Sequence, residues 1–292
     1  MMGKKRVRNF LADVVFIGPV LLAFTMIVLV PLMKGIFLSF TDWNGMTYQS
    51  FVGFKNFKNA LTDQSFGRAF LFTFKFAAMA VILINVTGFS LALLVTRNIR
   101  CSTFMRAVFY MPNLIGGLTL GFVWNFIFVE IFPAVGEKLG ISFLNGWLAD
   151  AKTGLWGLVI LTTWQMSGYM MIIYIAALQN ISADIIESAR IDGAGFGMLL
   201  RKIMIPMVMP SFTVSIFLTL SNTFKLYDQN LALTGGGPGD STTMISMNIY
   251  NTAYRYNQNA LGQAKAIIFL LVVLTITLTQ VYFSKKKEEQ LR

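Results

Sequence analysis

Long apolar runs separated by short polar segments dominate the chain. A helix needs about 20 apolar residues to cross roughly 30 Å of hydrocarbon. Six runs meet that length, at 11–33, 69–95, 104–129, 154–178, 205–226 and 264–283. The first follows Lys4, Lys5, Arg6 and Arg8, as a signal peptide would, and carries Asp13 near its start. Its apolar run is too long for a signal core and no small-residue cleavage pattern closes it, so it reads as a retained signal-anchor. The predicted class is therefore an all-α integral membrane protein, a single six-span domain over 1–292, with a polar segment at 180–206 between the fourth and fifth spans.

Composition supports this reading. Hydrophobic residues make up 55% of the 292 and charged residues 13%, against about 25% charged in soluble domains. The surplus apolar surface needs lipid around it. The net charge of +11 raises the question of nucleic acid. The basic residues, however, sit at the edges of the apolar runs and not on one helix face or arm, so a nucleic-acid partner is not expected.

With the N-terminus in the cytoplasm, the inner segments hold Lys4, Lys5, Arg6, Arg8, Arg97, Arg100, Arg106, Arg190, Arg201, Lys202, Lys285, Lys286, Lys287 and Arg292, which is 14 of the 24 basic residues. The outer loops hold only Lys34, Lys55, Lys58, Lys138, Lys152 and Arg255 clear of the spans. Positive-inside topology thus predicts both termini and the segment 179–204 in the cytoplasm. Arg68, Lys75, Lys225 and Lys265 fall toward the outer ends of spans, where long side chains can snorkel to the interface; Lys225 and Asp228 have the spacing of an ion pair.

There is no histidine and one cysteine, Cys101, which reads as a loop thiol. Metal sites and Cys/His nucleophiles lack their groups, and an intramolecular disulfide is impossible. Glu130, Glu137, Asp150 and Asp228 lie at outer ends or loops, so the convergent groups of a membrane-embedded enzyme are missing. No G-x-x-x-x-G-K-[ST] sequence occurs: Gly235–Thr242 lacks the lysine that would reach a phosphate. No catalytic residue, metal or cofactor is expected in the chain itself.

Polar residues inside the spans are costly and face a cavity or a partner helix. Ser215, Thr219, Asn222 and Thr223 form one stripe of the fifth span, and Thr162, Gln165 and Tyr169 form another on the fourth. Hydroxyls, amides and an aromatic ring suit a sugar. The same stripes also serve to join helices by hydrogen bonds. Gly117 and Gly121 have the spacing of a helix-packing pair; Asn85, Thr87 and Asn125 carry no assignment.

The segment NISADIIESARIDGAGFGMLLRKIMIPMVMP, 180–210, differs from an ordinary loop. Ser182 or Asp184 can cap a helix, with Glu187 at capping-box spacing from Asp184. Gly193, Gly195 and Gly197 break or bend the chain, and a second helical run follows over 196–205. The first helix is too short to be stable without a partner surface.

This segment resembles the EAA loop of binding-protein-dependent ABC importer permeases: Glu-Ala-Ala, three residues, Gly, nine residues, Ile, one residue, Leu-Pro. Glu187, Ala189, Gly193, Ile203 and Pro206 match; Ser188 and Ile205 depart mildly; Ile191–Ala194 supplies the extended Ile-Asp-Gly-Ala. The outer-loop sequences LSFTDWNG and VGFKNFKNALTDQSF, then RAVFYMP and LTGGGPGDSTT, resemble in order and spacing the first, maltose- and glycerol-phosphate-type, subunit of the carbohydrate-uptake branch.

The resemblance implies the six-helix type I importer permease fold in a bacterial or archaeal cytoplasmic membrane. It implies a coupling helix docking on an ATPase through Glu187, Ser188, Ala189, Asp192, Gly193 and Ala194, with Gly193 allowing a turn that a Cβ would obstruct. Gln165, Tyr169, Thr219, Asn222 and Thr223 are the expected substrate path. Its implied partners are a second permease in a pseudo-twofold heterodimer, an ABC ATPase dimer carrying ATP and Mg, an extracytoplasmic sugar-binding protein and membrane lipid. The alternative cargo is another small solute such as glycerol phosphate or a polyamine. Anionic cargo would call for cations inside the fourth and fifth spans, where only Lys225, near one end, is present.

Overall fold

The computed structural model describes residues 15–47, 50–97 and 101–291; Lys4, Lys5, Arg6, Arg8, Arg100, Arg292 and the start of the first predicted run lie outside them. Among the described residues the structure is helical, with no strand beyond one bridge between Thr41 and Phe51. In chain order the helices are α1 (Val15–Ser39), α2 (Lys55–Thr62), α3 (Gln64–Val95), α4 (Ser102–Tyr110), α5 (Gly117–Leu139), α6 (Ala151–Gln179), α7 (Ala183–Ile191), α8 (Phe196–Met207), α9 (Met209–Phe224), α10 (Asp228–Leu233), α11 (Ile245–Tyr250) and α12 (Asn259–Leu291). Of these, α1, α3, α5, α6 and α12 are each long and apolar enough to cross a membrane, and α8 with α9 form a bent pair that passes the same test together. The chain divides into two compact units, one of residues 1–63 and 249–268, the other of 64–248 and 269–292.

The larger unit is organised around α6. Asp150 caps it by accepting from the N–H groups of Lys152 and Thr153 at 2.8 and 2.7 Å. The Thr153 N–H above all holds this carboxyl below its ordinary range. Buried Leu158, Leu161, Met170 and Tyr174 of α6 meet Phe76, Ala80 and Ile84 of α3. The backbones come close where side chains vanish. A Cβ on Gly88 of α3 would stand 2.9 Å from Met170 Cβ, and one on Gly168 of α6 would overlap the Phe109 carbonyl oxygen of α4.

Three polar side chains then join three helices inside this core. The Tyr174 hydroxyl donates to Asn85 Oδ1 at 2.7 Å, and Asn85 Nδ2 donates to Thr219 Oγ1 at 3.0 Å. Asn85, which the sequence left unassigned, is thus the link between α3, α6 and α9. Gly117 and Gly121 do pack against a helix: the short α10, where a Cβ on Gly121 would lie 2.5 Å from Ala232 Cβ. Asn125 donates to the Leu233 carbonyl oxygen at 2.7 Å and so satisfies the end of the same short helix.

Two predicted runs are broken in the structure. The run at 104–129 is divided between α4 and α5 by a 3-10 turn at Met111–Leu114 and by extended Ile115 and Gly116. Pro112 permits the turn but not a regular continuation from α4, and Gly116 then starts α5 in an extended conformation. The run at 205–226 begins at Met209, because α8 and α9 meet at 70°. Pro210 lacks the N–H that would bond back across Val208. The run at 154–178 agrees with α6, whereas α3 begins five residues before its predicted start at 69 and α12 extends past both ends of 264–283.

In the smaller unit the expectation for Lys265 is corrected. Its side chain is 3% exposed and does not snorkel; Nζ lies 2.7 Å from Asp63 Oδ2 and 2.8 Å from Thr252 Oγ1. In the same unit the Ala260 N–H donates to the Trp43 carbonyl oxygen and Asn259 Nδ2 to that of Asn44, which ties the segment after α1 to the start of α12.

Two predictions follow from this packing. Gly168→Ala forces α4 away from α6 and lowers stability by about 1–3 kcal/mol. Gly197→Ala, with open space around it, leaves stability unchanged or raises it by up to ~1 kcal/mol. Thermal unfolding of the detergent-extracted chain separates them, and equal midpoints would show that the close approach carries no energy. Lys265→Met leaves Asp63 facing an apolar side chain and costs roughly 3 kcal/mol, while adding Asp63→Leu recovers much of the loss. A double variant as unstable as the single one would contradict the pairing.

Candidate functional site

A polar cavity of about 490 Å³ opens in the larger unit beside α6 and α9. Gln165 and Tyr169 of α6 line it, with Asn222 near the end of α9, Asn113 from the broken segment before α5, Lys225 from the turn after α9, and Asp228 and Gln229 from the start of α10. Gln229 Nε2 donates to Gln165 Oε1 at 2.9 Å, and Gln165 Nε2 donates to the Ile115 carbonyl oxygen at 3.3 Å. The unwound backbone at Ile115 therefore lies beside a cavity, the setting in which irregular backbone is tolerated at membrane depth. The Tyr110 and Tyr169 rings lie 6.5 Å apart, which adds an aromatic wall close by.

Of the five residues expected on the substrate path, Gln165, Tyr169 and Asn222 meet at this cavity. Thr219 and Thr223 do not line it: both are fully buried. Thr219 Oγ1 donates to the Ser215 carbonyl oxygen at 2.8 Å and accepts from Asn85, and Thr223 Oγ1 donates to the Leu220 carbonyl oxygen at 3.0 Å. The stripe on α9 divides because one side of it is pressed against α3 and α6 while Asn222 looks the other way. Ser215, on the buried side, donates to Met170 Sδ at 2.8 Å. Lys225 and Asp228 make no ion pair with each other, although both line the cavity. Asn113 and Gln229 were missed; the sequence signal was Pro112 interrupting an apolar run, which places the next polar side chain at the break.

The second set of expected residues lies on α7 and the turn after it. Ser182 is the cap, accepting from the Asp184 N–H at 3.3 Å, so Asp184 stands in the first turn and not at the cap. At the other end the Gly193 N–H donates to the Arg190 carbonyl oxygen at 3.0 Å and the Ala194 N–H to that of Ala189 at 2.9 Å. This is a Schellman ending, which requires a left-handed residue at Gly193, and its φ is +80°. A Cβ there would meet no neighbouring atom, so the expected obstruction of the turn acts through backbone conformation and not through crowding. Glu187, Ser188, Asp192 and Gly193 are exposed, with Ala189 and Ala194 half-buried. Ile191 is 80% exposed beside them, which gives α7 an open apolar corner among polar groups.

The glycine-rich segment after α10 is a folded turn. Gly235, Gly236, Gly237 and Gly239 all have positive φ. Asn230 is buried beneath it and holds it, donating to the Thr242 carbonyl oxygen at 2.9 Å and accepting from the Met244 N–H at 3.1 Å. Among the described residues no group of three or more acidic or cysteine side chains is placed to hold a metal ion.

Comparison with known proteins agrees with this architecture. Residues 84–289 match the family described as the binding-protein-dependent transport system inner membrane component. The chain is 51% identical, over 94% of both chains, to the probable starch degradation products transport system permease protein of Thermoanaerobacterium thermosulfurigenes. It is 34% identical to the multiple sugar-binding transport system permease protein of Streptococcus mutans, over 88% of this chain and 90% of that one. A chain of the bacterial alginate ABC transporter, solved in complex with an alginate pentasaccharide-bound periplasmic protein, superposes with a TM-score of 0.84 at 19% identity, covering 97% of this chain and 96% of that one. This chain belongs to the family of binding-protein-dependent transport system inner membrane components, the multi-pass permease subunits of ABC importers, and has their type I fold.

Proposed function

We propose that the chain is the pore-forming permease subunit of an importer that takes up a sugar or oligosaccharide delivered by an extracytoplasmic binding protein. The observation that carries this is the polar cavity, where Gln165, Tyr169, Asn222 and Asn113 offer amides and a phenol. Its volume lies in the range of small-molecule sites. Lys225 and Asp228 contribute one charge of each sign, which suits neutral cargo. The relatives from Thermoanaerobacterium thermosulfurigenes and Streptococcus mutans, named for starch products and multiple sugars, support the same class.

Translocation is powered elsewhere. ATP and Mg belong to a separate ATPase dimer, on which α7 docks through its exposed Glu187, Ser188 and Asp192, with Ala189, Gly193 and Ala194 shaping the ending. A second permease completes a pseudo-twofold heterodimer and covers apolar faces that this chain leaves open. In the apolar stretch of α6, 67% of residues are buried, whereas none are in that of α1 and 6% in that of α12. Both termini face the cytoplasm in this reading. Arg97 and Arg190 lining one cavity at the end of α3 is what positive-inside topology would place there.

Uptake of a labelled malto-oligosaccharide by cells carrying the whole importer tests the path. Gln165→Leu and Asn222→Leu each reduce uptake by about tenfold, the size expected when a buried polar contact to cargo is lost, with the chain still present in the membrane. Unchanged uptake in both would remove the cavity from the path, and preferential uptake of glycerol phosphate or a polyamine would replace the sugar. Affinity capture of the tagged chain in mild detergent tests the docking. Wild type brings down a second permease and an ATPase, and Gly193→Asp loses the ATPase alone. Capture of the chain by itself in both cases would refute the importer assembly.

A further inference from the structure

A second cavity, of about 880 Å³, lies between the end of α3 and helices α7 and α8, apart from the polar cavity. Leu93, Ile186 and Phe196 make an apolar wall, and its polar groups are Thr96, Arg97 and Arg190. No carboxylate lines it, and neither arginine forms an ion pair among the described residues. The Arg97 guanidinium lies 5.3 Å from the centroid of the Phe196 ring, so it is held at the edge of the cavity by a cation–π contact.

The cavity lies at the end of α3, a helix of membrane-crossing length and hydropathy that ends at Val95. Thr96 and Arg97 therefore follow directly on the apolar sequence of that helix. Two arginines and an apolar wall lining one cavity, next to the end of a membrane-length helix, complement a phosphate that carries hydrocarbon chains. A free phosphate would satisfy the arginines and leave the apolar wall wetted. A neutral acyl chain would fill the wall and leave both charges uncompensated.

We propose that this cavity binds one anionic phospholipid. Its phosphate lies between Arg97 and Arg190, and an acyl chain runs along Leu93 and Ile186. Arg97 follows α3 and Arg190 belongs to α7, so the headgroup bridges a membrane helix and the short exposed helix. The lipid thereby sets the position of α7 against the end of α3. This site uses no residue of the polar cavity, and its test involves no transported solute.

The experiment is native mass spectrometry of the full importer complex, released from nanodiscs holding equal phosphatidylglycerol and phosphatidylethanolamine. Wild type retains phosphatidylglycerol in preference to phosphatidylethanolamine, and 10 mM inorganic phosphate, about the concentration of a common buffer, does not displace it. Arg97→Gln with Arg190→Gln lowers that retention roughly tenfold, whereas Arg97→Lys with Arg190→Lys keeps most of it. Equal retention of the two lipids by wild type sinks the proposal whatever the variants do, including variants that fail to assemble. Displacement by inorganic phosphate would reduce the site to a simple anion site, and unchanged retention in the glutamine variant would move the lipid elsewhere.

Discussion

The hydrogen bonds among Tyr174, Asn85 and Thr219 are the interaction on which the larger unit depends. Between membrane-embedded helices there is little hydrophobic drive toward any particular partner, because lipid tails are as apolar as leucine. Specificity then comes from close backbone approach and from polar groups that must find partners. Asn85 uses both ends of its amide, accepting from α6 and donating to α9, and it also donates to the Val81 carbonyl oxygen of its own helix at 2.7 Å. Gly88 lets α3 approach α6 closely enough for this link to form, and Gly168 lets α4 pack on α6 as well.

Once α3, α6 and α9 are joined in this way, the helices that cannot run straight acquire their role. Pro112 and Pro210 interrupt membrane-length runs, and each interruption exposes backbone groups that need partners. At the first break the Ile115 carbonyl accepts from Gln165, and Asn113 lines the same cavity. At the second, α8 turns away from α9 by 70° and carries the chain back toward α7. The broken segment beside the polar cavity and the bend between α8 and α9 thus share one device, a proline in an apolar run.

Glycine has two distinct uses here. Gly193 supplies a left-handed ending with open space around it, so its side chain is excluded by φ alone. Gly121 and Gly168 have ordinary helical conformations and are excluded from growing by neighbouring atoms. The run from Gly235 to Gly239 combines positive φ with a buried Asn230 that fixes its shape. A turn this unusual, held by one buried amide, is a formed part of the structure and not a slack connection.

How far the sequence alone reaches can be judged from particular residues. The apolar runs, the all-α class, the short α7 and the family pattern at Glu187, Ala189 and Gly193 were legible, because hydropathy over a membrane length and a glycine-ended helix are local properties of the chain. The burial of Lys265 was not, since Asp63 lies about two hundred positions away and only folding brings it within 2.7 Å. Nor was the division of the α9 stripe: spacing shows that Thr219, Asn222 and Thr223 share one side of a helix, and only the neighbours decide that two are enclosed and one faces a cavity. Local physics determined which segments are long and apolar enough to cross a membrane, though not where each helix begins, breaks and ends. Tertiary structure decided what each polar side chain meets, because a hydrogen-bond partner at membrane depth is set by the packing of distant helices.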